Sequence, residues 1–227
     1  MRKDRNNEIQ NLQARAPFHF NSAAHLLRIG EQRAANLSEF REALHCCPEE
    51  SIFQHTFRTL QEHHFIRQGF SNDFAHWAYA DCNEAGLGER LAGVDIRSFT
   101  SIADLRQQLM QIVDDYVQSH PQAAGRAARK PFHFCASDTV VMPTALVARS
   151  LAEFAAGLAG VTIHSIHHHF IEARLRLKLQ SNDFSLWLDE DLGLAELGAR
   201  INRIDIYTST LEGVRQQILR IVKSTTQ

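Results

Sequence analysis

Markers of secretion and of membrane insertion are scarce in this sequence. The 227 residues include four cysteines, and none of them forms a C-x-x-C pair. The adjacent Cys46 and Cys47 are a poor disulfide framework, so small buried thiols in a reduced, cytoplasmic protein are expected. No run is long and apolar enough to cross a membrane. The charged N-terminus lacks the apolar core of a signal peptide, which indicates a polar tail.

An excess of positive charge is also missing. The formal net charge is −2, whereas proteins that bind nucleic acids broadly carry a basic surface. Broad nucleic-acid binding is therefore not expected. The sequence also contains no G-x-S-x-G nucleophile elbow and no glycine-rich phosphate loop placed after a strand. These absences leave open whether the chain is an enzyme.

Internal similarity is what the sequence has in abundance. "PFHF" begins at Pro17 and again at Pro131, 114 residues later, and "LSEF/LAEF" and "SIFQH/SIHHH" keep that spacing. "SNDF" recurs after 110 residues, at Ser71 and Ser181. The pattern predicts a tandem duplication of a helical module of ~100 residues, packed with pseudo-twofold symmetry. The predicted domains are a polar tail (1–16), repeat 1 (17–118), a linker (119–130) and repeat 2 (131–227).

Helical periodicity runs through both halves. Ser101 with Asp104, and Ser209 with Glu212, have capping-box spacing before the last amphipathic segment of each half. The histidine-rich stretch 162–179 has apolar residues on two faces, which predicts a central helix. Because little of the chain alternates with period two, the predicted fold class is all-α. The PFHF segments are expected to be short extended pieces.

Thirteen histidines are the unusual feature of the composition. His164, His168 and Glu172 are four residues apart and share one helix face. Imidazole and carboxylate ligands suit zinc, iron or manganese, so this set predicts a transition-metal site and a metal-dependent or acid–base enzyme. The same spacing is more often a solvent-facing polar stripe with an ion pair.

Two further histidines lie at matching positions of the halves. His55 and His169 fall at the edge of the apolar stripe, with Ser51 and Ser165 four residues earlier on the same side. Such residues can form a polar pocket in which the histidine donates a proton. The alternative is a boundary histidine whose hydrogen bonds are satisfied within the fold.

The remaining candidates lie after the histidine helix and at its end. Asn182 and Asp183 can cap the next helix, and Trp187 can face its core. Alternatively, an aromatic ring beside Asn and Asp can bind a sugar. Arg174 belongs to the basic stretch 172–178, which is typical of a solvated face but can also receive a phosphate or an acidic partner.

The shared motifs carry a family resemblance. PFHF, L-x-E-F, S-I-x-x-H, N-D-F-x-x-W and an Ile-Asp pair before the last helix together resemble a prokaryotic family classed only as a domain of unknown function. The resemblance implies sugar-transfer and trehalose-type enzymes as neighbours or fused partners. With no complete catalytic constellation, the sequence favours a non-enzymatic protein-interaction or regulatory accessory protein. The alternatives are the metal-dependent or acid–base enzyme and a sugar or sugar-phosphate binding module.

Overall fold

Helices dominate the computed structural model of this protein, which describes residues 12–58 and 70–226. The α-helices are α1 (Leu37–Cys46), α2 (Glu49–Phe53), α3 (Asp73–Ala80), α4 (Ala85–Ala92), α5 (Ile102–Ser119), α6 (Pro121–Ala124), α7 (Leu151–Gly160), α8 (Ile163–Ile166), α9 (Ala173–Leu177), α10 (Asp183–Glu190), α11 (Ala195–Asn202) and α12 (Leu211–Thr226). Two π-helical segments span Gln54–Arg58 and His167–Glu172, and a 3₁₀ turn spans Ile96–Ser98. Across the described ranges, no helix has both the length and the apolar character that a bilayer crossing requires.

Two long strands form an antiparallel sheet. β1 runs from Gln13 to Ala34 and β2 from Phe132 to Ser150. The predicted all-α fold class is therefore wrong, and the structure does not show the predicted tandem duplication of a helical module. The PFHF motifs lie near the starts of strands of 22 and 19 residues. The sequence did not predict these long strands, because residues 26–29 and 138–143 are exposed on both faces of the sheet. Such segments lack the alternation of apolar and polar residues that indicates a strand.

The chain forms two compact units, and their boundary cuts both strands. Unit 1 comprises the described parts of Met1–Ala24 and Val140–Gln227, and unit 2 comprises the described parts of His25–Thr139. The strands pair within each unit: the Thr144 hydroxyl donates to the carbonyl of Phe20 at 2.5 Å in unit 1. In unit 2, the side chains of His25 and Thr139 meet at 3.0 Å. The units do not coincide with the predicted repeats, because they are divided inside the strands.

An aromatic cluster forms the core of unit 1. Phe18 and Phe20 of β1 pack against Phe154 of α7, with ring centroids 5.9 Å apart in both pairs. Phe184 and Trp187 of α10 complete the cluster, at 5.5 and 5.6 Å from the ring of Phe18. All five rings are buried. Aromatic rings bury large apolar areas, so this packing fastens β1 to helices that come much later in the sequence.

Unit 2 has an equivalent core built from the second PFHF motif. Phe132 and Phe134 of β2 lie 5.7 Å from the ring of Phe40 in α1. Phe74 and Trp77 of α3 lie 5.3 and 5.7 Å from Phe132. Each PFHF motif therefore packs on helices of the other half of the sequence.

The predicted linker, 119–130, is packed onto unit 2. Its α6 helix buries Ala123, and the Arg129 N–H donates to the carbonyl of Asp81 at 2.8 Å. The Arg126 guanidinium lies 3.3 Å from the carboxylate of Glu84. Backbone hydrogen bonds, burial and an ion pair hold the segment in place. Most of the predicted tail, 1–16, lies outside the described residues.

Candidate functional site

His169 is the best connected of the predicted candidates. It lies in the π-helical segment of unit 1 and is 3% exposed. Its Nδ1 lies 2.6 Å from Oδ2 of Asp183, and its Nε2 accepts the backbone N–H of Asn21 at 2.8 Å. An Nε2 that accepts a hydrogen bond carries no proton, so the hydrogen-bond pattern assigns the ring proton to Nδ1. The neutral imidazole holds β1 against the first residue of α10.

His55 makes the same two contacts in unit 2. Its Nδ1 lies 2.8 Å from Oδ2 of Asp73, and its Nε2 accepts the backbone N–H of Cys135 at 2.9 Å. Both nitrogens of each ring therefore have partners inside the fold. Between the two interpretations that the sequence allowed, this geometry favours the satisfied boundary histidine over the proton donor of an open pocket.

Burial controls the charge state around His169. Desolvation lowers the pKa of His169 below its ordinary value of 6.5 and outweighs the opposing hydrogen bond to Asp183. Burial alone would raise the pKa of Asp183, but hydrogen bonds from His169 and Arg176 outweigh it and lower that pKa below 3.8. The Arg176 guanidinium donates to Oδ2 of Asp183 at 2.6 Å. At neutral pH the group is a neutral imidazole, a carboxylate and a guanidinium.

The two candidate serines, Ser51 and Ser165, differ in whether their hydroxyl groups have a hydrogen-bond partner. The Ser51 hydroxyl donates to the carbonyl of Cys135 at 2.9 Å and so helps His55 to hold β2. Ser51 also lines a cavity of about 430 Å³ in unit 2, beside Arg28 and Phe134. Ser165 is fully buried, and within the described chain its hydroxyl has no hydrogen-bond partner.

Asn182 and Trp187 are used inside unit 1. The Asn182 side-chain oxygen accepts the N–H of Ser185 at 3.0 Å, which caps α10, and its amide donates to Oδ1 of Asn202 at 3.0 Å. The Trp187 indole N–H donates to the carbonyl of Ala16 at 2.8 Å. Asn182 is fully buried and Trp187 is 5% exposed. A ring this covered offers a sugar no face for stacking.

Arg174 is buried in unit 1, so it does not lie on a solvated face. It is 6% exposed, and its guanidinium donates to Oδ1 of Asn202 at 3.0 Å. Arg176 is the more open of the two, with 41% of its side chain exposed, and it donates to the carbonyl of His168 at 3.0 Å. Arg174 therefore connects α9 to α11, and Arg176 connects α9 to the histidine segment.

A buried polar cluster includes two of the three predicted metal ligands. Nδ1 of His168 lies 3.2 Å from Oε2 of Glu172, and Nδ1 of His167 lies 2.8 Å from Oε1 of the same carboxylate. The three residues are between 0% and 5% exposed. His164, the third predicted ligand, lies on the surface. His167 was not among the predicted ligands.

The π-helical backbone explains that difference. An α-helix aligns residues four apart, which brings His168 to Glu172, whereas a π-helix aligns residues five apart, which brings His167 to the same residue. The sequence did contain a signal for both contacts, because His167 and His168 lie five and four residues before Glu172. Imidazole and carboxylate groups can exchange a proton or hold a divalent transition metal. Of these three residues, His167 and Glu172 belong to a group of side chains whose ligand atoms lie close enough to share one ion, whereas His168 does not.

Large apolar side chains are exposed on the strand segments of both units. In unit 1 three of them are consecutive, Val140, Val141 and Met142, which are 44–48% exposed, and Leu146 follows at 38%. In unit 2 they are Leu26, Leu27 and Ile29, which are 61–77% exposed. Consecutive strand residues point to opposite faces, so each segment presents apolar groups on both faces. We call these segments the exposed strand segments, 140–142 and 26–29.

Fold and site together define a helical protein with a long two-stranded antiparallel sheet, in which buried histidine–aspartate pairs hold the strands. The family described as "Family of unknown function (DUF5752)" matches residues 15–223, so the chain belongs to this family. The resemblance to a family of unknown function is thereby confirmed. No curated protein matches the chain. The solved structure of OrfY from Thermoproteus tenax is 29% identical, with a TM-score of 0.83, and the match covers 95% of this chain and 99% of OrfY.

Proposed function

We propose that this chain is a non-enzymatic accessory protein that binds a partner protein through its exposed strand segments and regulates it. The observation that supports this proposal is that polar histidines are bonded inside the fold while apolar strand residues are exposed. Both ring nitrogens of His55 and of His169 are occupied by hydrogen bonds within the fold. Apolar side chains of 140–142 and 26–29 are left in solvent. Contiguous exposed apolar groups of this kind mark interaction surfaces.

The strand backbone supports the same proposal. Among the described residues the sheet has only two strands, so each strand has one edge that no other strand pairs. An open edge can accept a strand of another protein, with main-chain hydrogen bonds providing affinity and side chains providing specificity. Pro143 lacks an N–H group and limits how far such pairing can run along β2. The family resemblance makes sugar-transfer enzymes the first partners to test.

Affinity capture from cells that express the chain at normal levels tests this function. Wild type is compared with a Leu27→Asp/Val141→Asp variant, and Leu179→Asp is the matched control because Leu179 is 49% exposed outside both segments. We expect the same partner with wild type and Leu179→Asp, and loss of it with the double variant. Capture that is equal for all three chains would contradict the proposal.

A second candidate function rests on the buried His167–Glu172–His168 cluster. The support for a metal-dependent activity is that one carboxylate contacts two imidazoles in a π-helical segment, a backbone feature frequent at functional sites. Metal content of untagged protein, purified without chelator or nickel resin, tests it. We expect one equivalent of zinc, iron or manganese that His167→Ala removes and His19→Ala, an exposed control, retains. A folded protein that contains no metal would contradict the metal-dependent activity.

A further inference from the structure

A shallow cavity, open to solvent, lies on the surface of unit 1 between α11 and α12, and no residue of the histidine segment lines it. Its volume is about 410 Å³, within the range of small-molecule sites. Its lining contains two arginines, an amide, a hydroxyl and one apolar side chain: Arg200, Arg220, Gln217, Ser224 and Ile221. We propose that this cavity binds the phosphate group of a small organic phosphate. The proposal does not depend on partner binding by the strand segments.

Arg200 is held in place by the last turn of α12. Its terminal nitrogens donate to the hydroxyls of Ser224 at 3.0 Å and Thr225 at 3.3 Å. Both hydroxyls in turn donate to the carbonyl of Ile221. A guanidinium has five N–H groups, so several donors remain for a ligand after these two bonds. An oriented guanidinium loses little freedom when it binds an anion.

Arg220 adds a second cation to the cavity. Its Nε donates to the carbonyl of Gln216 at 3.3 Å, which leaves the N–H groups of both terminal nitrogens for a ligand. Across residues 12–58 and 70–226, neither Arg200 nor Arg220 forms an ion pair. Glu212, an acid on the same helix as Arg220, is engaged by Arg215 at 3.0 Å and by Gln216 at 2.8 Å. The cavity therefore carries uncompensated positive charge.

Two unpaired guanidinium groups match a phosphate better than a carboxylate. A phosphate monoester carries about −1.5 to −2 charge at neutral pH and several strong acceptor oxygens, whereas a carboxylate carries one charge. Forked guanidinium donors bind such oxygens in pairs. Gln217 and Ser224 add neutral polar groups beside the arginines. The cavity has room for the organic group that carries the phosphate.

Titration of the full chain with inorganic phosphate tests the proposal, with binding followed by calorimetry in a buffer of constant ionic strength. We expect saturable binding that Arg220→Gln weakens by about tenfold, since a hydrogen bond to a charged group contributes roughly that much. Arg203→Gln is the matched control because Arg203 is exposed at the end of α11 outside the cavity lining, and it should bind like wild type. Glycerol 3-phosphate should bind at least as tightly as inorganic phosphate.

Three outcomes would overturn the proposal. The first is no saturable binding of phosphate by the wild-type chain. The second is equal weakening by Arg203→Gln, which would mean general charge attraction. The third is equal binding of acetate, which would assign the cavity to carboxylates such as an acidic segment of a partner. Arg220→Gln is the deciding variant because Arg200 also anchors α12, and circular dichroism verifies that the variants are folded.

Discussion

Nδ1 of His169 lies 2.6 Å from Oδ2 of Asp183, and the opposite nitrogen of the same ring accepts the N–H of Asn21. One imidazole thus joins the π-helical segment, the start of α10 and strand β1. The contact explains why a histidine is needed here, since no other side chain of this size both donates and accepts from two opposite ring positions. It also makes the histidine a structural link whose loss has a measurable cost.

Replacing His169 by phenylalanine isolates that polar role. Phenylalanine fills a site lined by Phe18 and Phe184, but it leaves the N–H of Asn21 without its acceptor and Asp183 without one donor. We expect the free energy of unfolding to fall by about 2–4 kcal/mol, measured by urea denaturation. His19→Phe, at an exposed position, should change it by less than about 0.5 kcal/mol. Equal effects of the two variants would show that the His169 contacts carry no stability.

The lowered pKa of His169 predicts acid sensitivity. Below pH 6.5 the unfolded chain binds a proton at this histidine while the native chain, whose pKa is lower, does not, so stability decreases as pH falls. Asp183 acts in the same direction only below pH 3.8, because its native pKa is also lowered. Unfolding free energies between about pH 5 and 8 measure the slope, at most about 1.4 kcal/mol per pH unit for one group. His169→Phe should have a shallower slope than wild type, and an unchanged slope would contradict this assignment.

The contact between α10 and α11 predicts a steric effect at Gly198. A Cβ atom on Gly198 would lie 2.6 Å from the carbonyl oxygen of Ser185, and a backbone atom cannot move aside as a flexible side chain can. We expect Gly198→Ala to lower the free energy of unfolding by about 1–3 kcal/mol. Gly125→Ala is the control, because a Cβ there meets nothing within 4 Å. A Gly198→Ala protein as stable as the control would show that the two helices can separate at little cost.

Most of the helix caps discussed above were predictable from local sequence. Asn182 caps α10 as expected, and Ser101 with Asp104 caps α5, where the Asp104 N–H donates to the Ser101 hydroxyl at 3.1 Å. These contacts depend on residues three positions apart. The predicted cap at Ser209 is wrong, since the Thr210 hydroxyl accepts the N–H of Gly213 at 3.0 Å. The predicted N-cap is therefore displaced by one residue, because local sequence patterns do not define the start of a helix more closely than that.

The strands and the polar cluster could not be predicted in the same way. β1 is held by Phe18 and His169, residues far apart in sequence, and its middle has no buried face that would produce alternation. The contact of His167 with Glu172 depends on a π-helical turn, which the α-helical spacing used for prediction does not contain. Long-range pairing and a change of helix type therefore account for the main errors.

The exposed strand segments should contribute nothing to folding. Val141 is 48% exposed and Leu27 is 62% exposed, so aspartate at either position should change the free energy of unfolding by less than about 0.5 kcal/mol. Phe20→Ala, which empties the core of unit 1, should cost about 3–5 kcal/mol in the same urea titration. A large loss in Val141→Asp would mean that the segment packs within the protein and is not free for a partner.

Site-specific photo-cross-linking in cells tests the central claim most directly. A photoreactive amino acid is placed at Met142, at Leu27 and, as the control, at Leu179, which is exposed outside both segments. We expect one defined cross-linked protein from positions 142 and 27 and none from position 179. No cross-link from either strand position, or the same products from all three, would contradict a partner-binding function of these strands.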